Sequence, residues 1–339
     1  MPHAPAPRGP LSAFVLAAVS SAPGALSPAD LPPIDVADPL ADDDLQLALY
    51  CCYELHYRGI DGVDERWEWD PGLLAVRARL EDAFERALQD ALAGWTPPPA
   101  TADTMDIALR AIADADDFPS LSRHLETQGT AAQFREFLMH RSAYQLKEAD
   151  PHSWAIGRLS GPPKAALVEV QADEYGGGDP ERVHAVLFAR AMKALGLDDT
   201  YGAYLDKLPG VTLATVNLMS YFGLHRRHRG RVVGHLALFE MTSSIPNRRY
   251  ATGLRRLGQG EDRDATEFFD EHVTADAVHE NIAAVDLAGG LVRAEPPLVD
   301  DILFGARALV ELEGRWATAL LEAWQADRTA LLHADLVGA

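Results

Sequence analysis

Residues 271–283 read EHVTADAVHENIA and set three metal-capable side chains, His272, Asp276 and His279, at spacings of four and three. A helix turns about 100° per residue, so with His272 at zero Asp276 lies near +40° and His279 near −20°. The three then share roughly 60° of one helix face. Imidazole and carboxylate together suit a divalent transition metal such as iron, manganese or zinc. The same spacing also arises on a solvated polar face, so the motif gains force only if further ligands lie elsewhere in the chain.

Acids and histidines embedded in apolar helical patterns supply such candidates. In HRSAYQLKEADPHSW, Glu148 is expected to end a helix, with His140 two turns earlier on roughly the same face. In KAALVEVQADEYGGGDPERVHAVLF, Glu174 precedes a glycine break and His184 opens the next helix ten residues later. Gly176 to Gly178 can take positive φ and let the chain reverse, which would bring Glu174 and His184 to a common point. Glu240, in GHLALFEMTSSIPNRRY, sits on a helix otherwise fit for burial, where an unpaired glutamate is costly. Each has a plainer reading. Glu148 would be a surface acid at a helix end, Glu174 a solvated turn residue like Glu169 and Asp173, and His184 a packed core histidine. Glu240 is the hardest to read that way. His140, Tyr144, Tyr175 and His235 are candidates to stand behind the ligands, with ordinary packing as the alternative.

Helices must carry these groups. Residues 1–40 are rich in Pro and Ala and read as a tail with short ordered pieces. A helical arm follows over 41–100, with a helix start capped at Asp38 or at Asp42 to Asp44 and a long amphipathic helix with Pro71 early and Gly94 late. TPPPA then breaks the chain. The remainder, 101–339, reads as a bundle with helical patterns near 104–115, 119–127, 130–148, 162–174, 180–195, 199–207, 211–225, 230–246, 248–257, 263–283 and 300–333. Strand alternation is nearly absent and no repeat is found, so the class is all-α.

The order of these groups is similar to that of the haem-oxygenase-like diiron oxidases, the iron-containing redox enzymes. The likeness covers roughly residues 105–285: a Glu, then DEYGGG with a histidine ten residues after its Glu, a Glu in an apolar helix, then His-x3-Asp-x2-His. The spacing of Glu148, Glu174, His184 and Glu240 also resembles the diiron domain of the N-nitrosourea-forming enzyme of streptozotocin biosynthesis. The resemblance implies a haem-oxygenase-like helical bundle with an N-terminal helical extension. It also implies seven metal ligands, Glu148, Glu174, His184, Glu240, His272, Asp276 and His279, around two non-haem irons, with O₂ as co-substrate. The implied activity is N-oxygenation or oxidative C–C cleavage of a small molecule in natural-product metabolism. Two other classes stay open: a bundle of this shape acting without metal as a cofactor-independent oxidase or hydrolase, and a non-catalytic metal-binding protein.

Composition bounds the partners. Net charge is −21, which disfavours nucleic acid, because phosphate contacts need clustered Lys and Arg. No apolar run reaches the length of a membrane span. Cys51 and Cys52 are adjacent and form neither a disulfide framework nor a CxxC motif, which fits a reducing cytoplasm. LSAFVLAAVSSAPGA has a signal-like apolar stretch, but its leader MPHAPAPRG carries one arginine and three prolines, a poor positive region. Arg226, Arg227, Arg229 and Arg231 just before the Glu240 helix, and Arg248 and Arg249 just after it, would suit a carboxylate or phosphate substrate or an acidic carrier protein, or pair with surface acids. An external electron donor and a homodimer are compatible with this reading.

Overall fold

The computed structural model describes residues 1–24, 26–259 and 262–332, with the side chains of residues 275–278 outside that set. Every regular element among the described residues is helical. An N-terminal group holds α1 (Pro10–Val19), α2 (Asp43–Glu54) and α3 (Pro71–Ala91). Then come α4 (Met105–Asp114), α5 (Leu121–Thr127), α6 (Ala131–Gln145), the single turn α7 (Asp150–Ser153), α8 (Gly161–Glu174) and α9 (His184–Ala194). The chain ends with α10 (Gly210–Leu224), α11 (Arg229–Leu254), α12 (Arg263–Asn281), α13 (Gly290–Ala294) and α14 (Val299–Gln325).

Local chemistry sets several of these boundaries. The Asp42 side chain accepts from the Leu45 amide and caps α2. Asp70 does the same for α3, with Pro71 at the first helical position. Thr130 and Gln133 form a reciprocal capping box at α6.

The first forty residues hold more order than their composition suggests. Leu11, Val15 and Val19 of α1 are buried. Asp44 closes the start of α1 by accepting from the amides of Leu11 (2.8 Å) and Ser12 (2.7 Å). An apolar stripe at helical spacing outweighed the flanking prolines. Two other expectations also change. Residues 199–207 form turns and a single 3₁₀ turn at Leu205–Lys207, because Gly202 takes φ +82° against Pro2. The patterns at 230–246 and 248–257 are one helix, α11, running through Pro246.

α11 is the central strut. It packs on α14 at a crossing where a Cβ on Gly234 would stand 1.8 Å from the Ile302 carbonyl oxygen. Reciprocally, a Cβ on Gly305 would stand 2.0 Å from the Arg231 carbonyl oxygen. No other residue type fits there without moving a backbone. α11 also packs against α12, so the two helices that carry Glu240, His272 and His279 are neighbours. No described helix is long and apolar enough to cross a membrane.

Candidate metal centre

The glycine break performs the reversal its composition suggests. Gly176, Gly177 and Gly178 have φ of +76°, +61° and +91°, values that L side chains rarely adopt. The chain leaves α8 at Glu174 and re-enters at the first residue of α9, His184. His184 Nδ1 then lies 2.9 Å from Glu174 Oε2. Glu148 arrives differently. α6 ends at Gln145, three residues short of the expected end, and Glu148 sits in the turn that follows. Ala149 takes a left-handed φ of 72° at that turn before α7 begins.

Among the described residues two groups of buried ligand atoms form, each lying within 4.8 Å of one another. Glu148, Glu174, His184 and His272 make the first, and Glu174, Glu240 and His279 the second. Glu174 belongs to both. Asp276 lies on α12, but its side chain is outside the described residues. Six of the seven sequence candidates therefore converge, and the seventh is not placed.

Hydrogen bonds fix the imidazoles. His272 Nδ1 must donate to the Phe268 carbonyl (2.7 Å), since a carbonyl oxygen can only accept. That leaves its Nε2 towards Glu148 Oε1 at 3.5 Å. His279 Nδ1 faces Glu240 Oε2 at 3.3 Å, and its Nε2 faces Asp173 Oδ2 at 3.0 Å. Burial favours a neutral Glu174, but His184 above all, with His272 and His279, outweighs it and holds the carboxyl at about 2. Burial likewise opposes charge on His279, yet Glu240, then Asp173 and Glu174, raise it to about 9. His184 is raised as well, with Glu174 overcoming the burial penalty. Imidazolium charge balances carboxylate charge inside the core.

That balance is incomplete, and the gaps test the fit to a metal. Glu148 Oε2 is buried and has no hydrogen-bond partner among the described residues. His184 Nδ1 is close to Glu174 but off the line of a hydrogen bond, and it is likewise without one. Buried polar atoms are normally paired. Here the atoms without a hydrogen bond are a carboxylate oxygen and an imidazole nitrogen that faces Glu174, both of kinds that donate electron pairs to metals. A cavity of about 10 Å³ is bordered by Glu148, Glu174, Glu240, His272 and Tyr144. It is roughly the room of one water-sized sphere. Carboxylates and imidazoles around such a space fit divalent cations.

The surrounding candidates separate. Tyr144 borders the small cavity, and burial followed by Glu148 keeps its phenol protonated. His140 turns away and meets Thr212 Oγ1 at 2.7 Å. His235 pairs with His152 (3.1 Å), which also borders the cavity. Tyr175 donates its hydroxyl to Asp150 at 2.9 Å. Asp173, read from sequence as solvated, reaches His279 while 60 % of its side chain stays exposed. Its only signal was adjacency to Glu174.

A chamber of about 450 Å³ opens beside the first group and has Glu148 and His272 in its wall. Pro246 lies in the α11 wall; lacking an N–H, it cannot bond the carbonyl of Thr242, and both residues border the chamber. The basic cluster lies elsewhere. Arg231 bonds Glu85 (2.9 Å) and Asp301 (3.0 Å), and Arg229 bonds Glu295. Of the six arginines singled out in sequence, Arg249 is the one bordering the chamber among the described residues.

The model of a family described as iron-containing redox enzyme matches residues 135–314, just over half of the chain. No curated protein matches the chain.

Proposed function

Because the chain belongs to the iron-containing redox enzymes, we propose that it is a non-haem diiron oxidoreductase that uses O₂ to oxidise a small molecule. Glu148, Glu174, His184 and His272 would hold one iron, and Glu174, Glu240 and His279 the other; Asp276 is the seventh ligand that the family resemblance implies. The single observation that carries this reading is the membership of Glu174 in both buried groups. One carboxylate with two oxygens can serve two cations, which is how a pair is held close. Two ferrous ions there would supply the electrons that activate O₂.

The chain's own residues do the rest. The Phe268 carbonyl fixes the His272 tautomer, so that Nε2 presents its lone pair to the site. Asp173 stands against the second nitrogen of His279 and orients that ring in the same way. Phe188, Phe239 and Phe268 line the chamber with Glu148 and His272 and would pack an apolar substrate against those two residues. The substrate would lie in the chamber, with its reacting bond towards those two ligands.

The narrower likeness to the streptozotocin enzyme points to N-oxygenation, with oxidative C–C cleavage as the alternative outcome, in natural-product metabolism. An external electron donor and a cytoplasmic setting belong to the same reading. Anaerobic titration with ferrous ion, followed by metal analysis, tests it. The expected result is about two irons per chain, and O₂ uptake once air is admitted. Less than one iron per chain, or full loading with no O₂ uptake, would overturn it.

A further inference from the structure

The chamber beside Glu148 carries a polar strip that the metal reading does not use. Arg141 and Gln145 stand one turn apart on α6, and Glu148 follows in the next turn. All three border the chamber, as does Trp316 of α14. The guanidinium of Arg141 lies 3.9 Å from the Trp316 ring centroid. The strip therefore runs from Trp316 past Arg141 and Gln145 to Glu148.

The arginines of the chamber are already matched, whereas its acids Asp114 and Asp116 are exposed and Glu148 belongs to the first ligand group. Arg141 is clamped by both oxygens of Glu313, at 2.9 and 2.6 Å. Arg110 pairs with Glu280. Arg249 donates to Ser120 and Ser122 and lies 3.7 Å from Glu126. An anionic head group would have to break one of these pairs to find a cation. A cationic one seated at Gln145 and Trp316 would have to compete with Arg141 for Glu313.

Two neutral groups, in contrast, are left over. Gln145 is 8 % exposed and its Oε1 has no hydrogen-bond partner among the described residues. Trp316 is 2 % exposed and its Nε1 is also without one. One is an acceptor and the other a donor. Native proteins rarely bury such groups unpaired, because each forfeits its bond to water. The remaining wall is aromatic and aliphatic, including Phe137, Phe239 and Tyr250. The volume lies in the range of pockets that enclose a small organic molecule.

We propose that this chamber binds an uncharged substrate with an apolar body and a neutral head that both donates and accepts hydrogen bonds, an amide or alcohol, held by Gln145 and Trp316. This deepens, and rests on, the reading of the chamber as the substrate site of the oxidase. Gln145, three residues before Glu148, would set which bond of the substrate faces the metal ligands.

Three probes with one body test it: phenylpentanamide, phenylpentanoate and phenylpentylammonium. Binding is measured by calorimetry on the full chain stripped of metal with a chelator. The amide should bind at least about tenfold more tightly than either ion, since an unmatched charge is expensive to bury. Gln145→Leu and Trp316→Phe should each weaken the amide about fivefold, the worth of one hydrogen bond, while leaving the ions unchanged. Equal or tighter binding of an ion, no measurable binding of the amide, or undiminished amide affinity in both variants would overturn the proposal. Iron uptake is followed separately. Amide selectivity without iron uptake would sink the oxidase and keep the chamber's preference, whereas iron uptake without amide selectivity would do the reverse.

Discussion

Glu174 is the residue on which the two ligand groups depend, and its removal should not behave like the removal of its neighbours. Glu174→Ala should drop iron content below about one per chain, while Glu240→Ala should keep iron at the Glu148 group. Metal analysis after anaerobic loading separates the two, and equal losses would argue against a shared carboxylate. A second residue-scale outcome concerns acid stability. Burial, with a smaller contribution from Arg141, holds His140 at about 3, against about 6.5 in an unfolded chain. The unfolded state therefore binds more protons between those values, and stability is full above about 6.5 and lost as pH falls towards 3. Between pH 7 and 5 this one histidine should cost about 2 kcal/mol. Urea unfolding of His140→Gln should show a pH slope shallower by that amount. The six candidate ligands that converge were conspicuous in sequence as acids and histidines set in apolar helical runs. Asp173 was not, since an acid beside an exposed turn looks the same whether or not a histidine from a distant helix arrives at it.

At the scale of elements, the crossing of α11 and α14 governs how Glu240 is presented. Gly234→Ala or Gly305→Ala would drive a methyl into a backbone carbonyl of the facing helix. Neither carbonyl can rotate aside, so the helices must separate, at a cost of about 3 kcal/mol. Thermal unfolding should show a lowered midpoint for both variants. Iron retention should fall with it, because Glu240 lies less than two turns from Gly234 on the same helix. An unchanged midpoint would contradict so close a crossing. Most helix positions were readable from apolar periodicity, but α1 and the short α7 and α13 were not, and 199–207 is not an α-helix. Boundaries were less readable. Pro246 suggested a break, but α11 continues through it because packing on both sides outweighs one lost backbone bond. The end of α6 was misjudged by three residues, since nothing local marks the left-handed turn at Ala149.

Across the whole molecule, the N-terminal helices and the bundle share buried polar contacts and one apolar core. Lys147, 1 % exposed, bonds Glu54 of α2 at 2.8 Å and lies over the rings of Tyr50 and Tyr57. Tyr201 donates to the same carboxylate at 2.7 Å. Asn217 of α10 donates to the Gln46 carbonyl of α2 at 2.9 Å. Calorimetry should therefore record one unfolding transition, and two resolved transitions would contradict the shared core. Glu54→Gln or Lys147→Met should each cost about 3–5 kcal/mol by stranding a buried charge. The double variant should recover most of that loss, which denaturant titration would reveal. The sequence separated arm from bundle at TPPPA but could not disclose this tie, which links residues 93 positions apart. Lys147 and Glu148 are consecutive, and one side chain reaches outward into the arm while the next faces the ligands. Grafting only the 135–314 segment onto a foreign scaffold would thus transplant an ammonium without its counter-ion, directly beside the centre. Swaps between relatives should succeed only when the first hundred residues travel with it, so that arm and bundle are inherited as one unit.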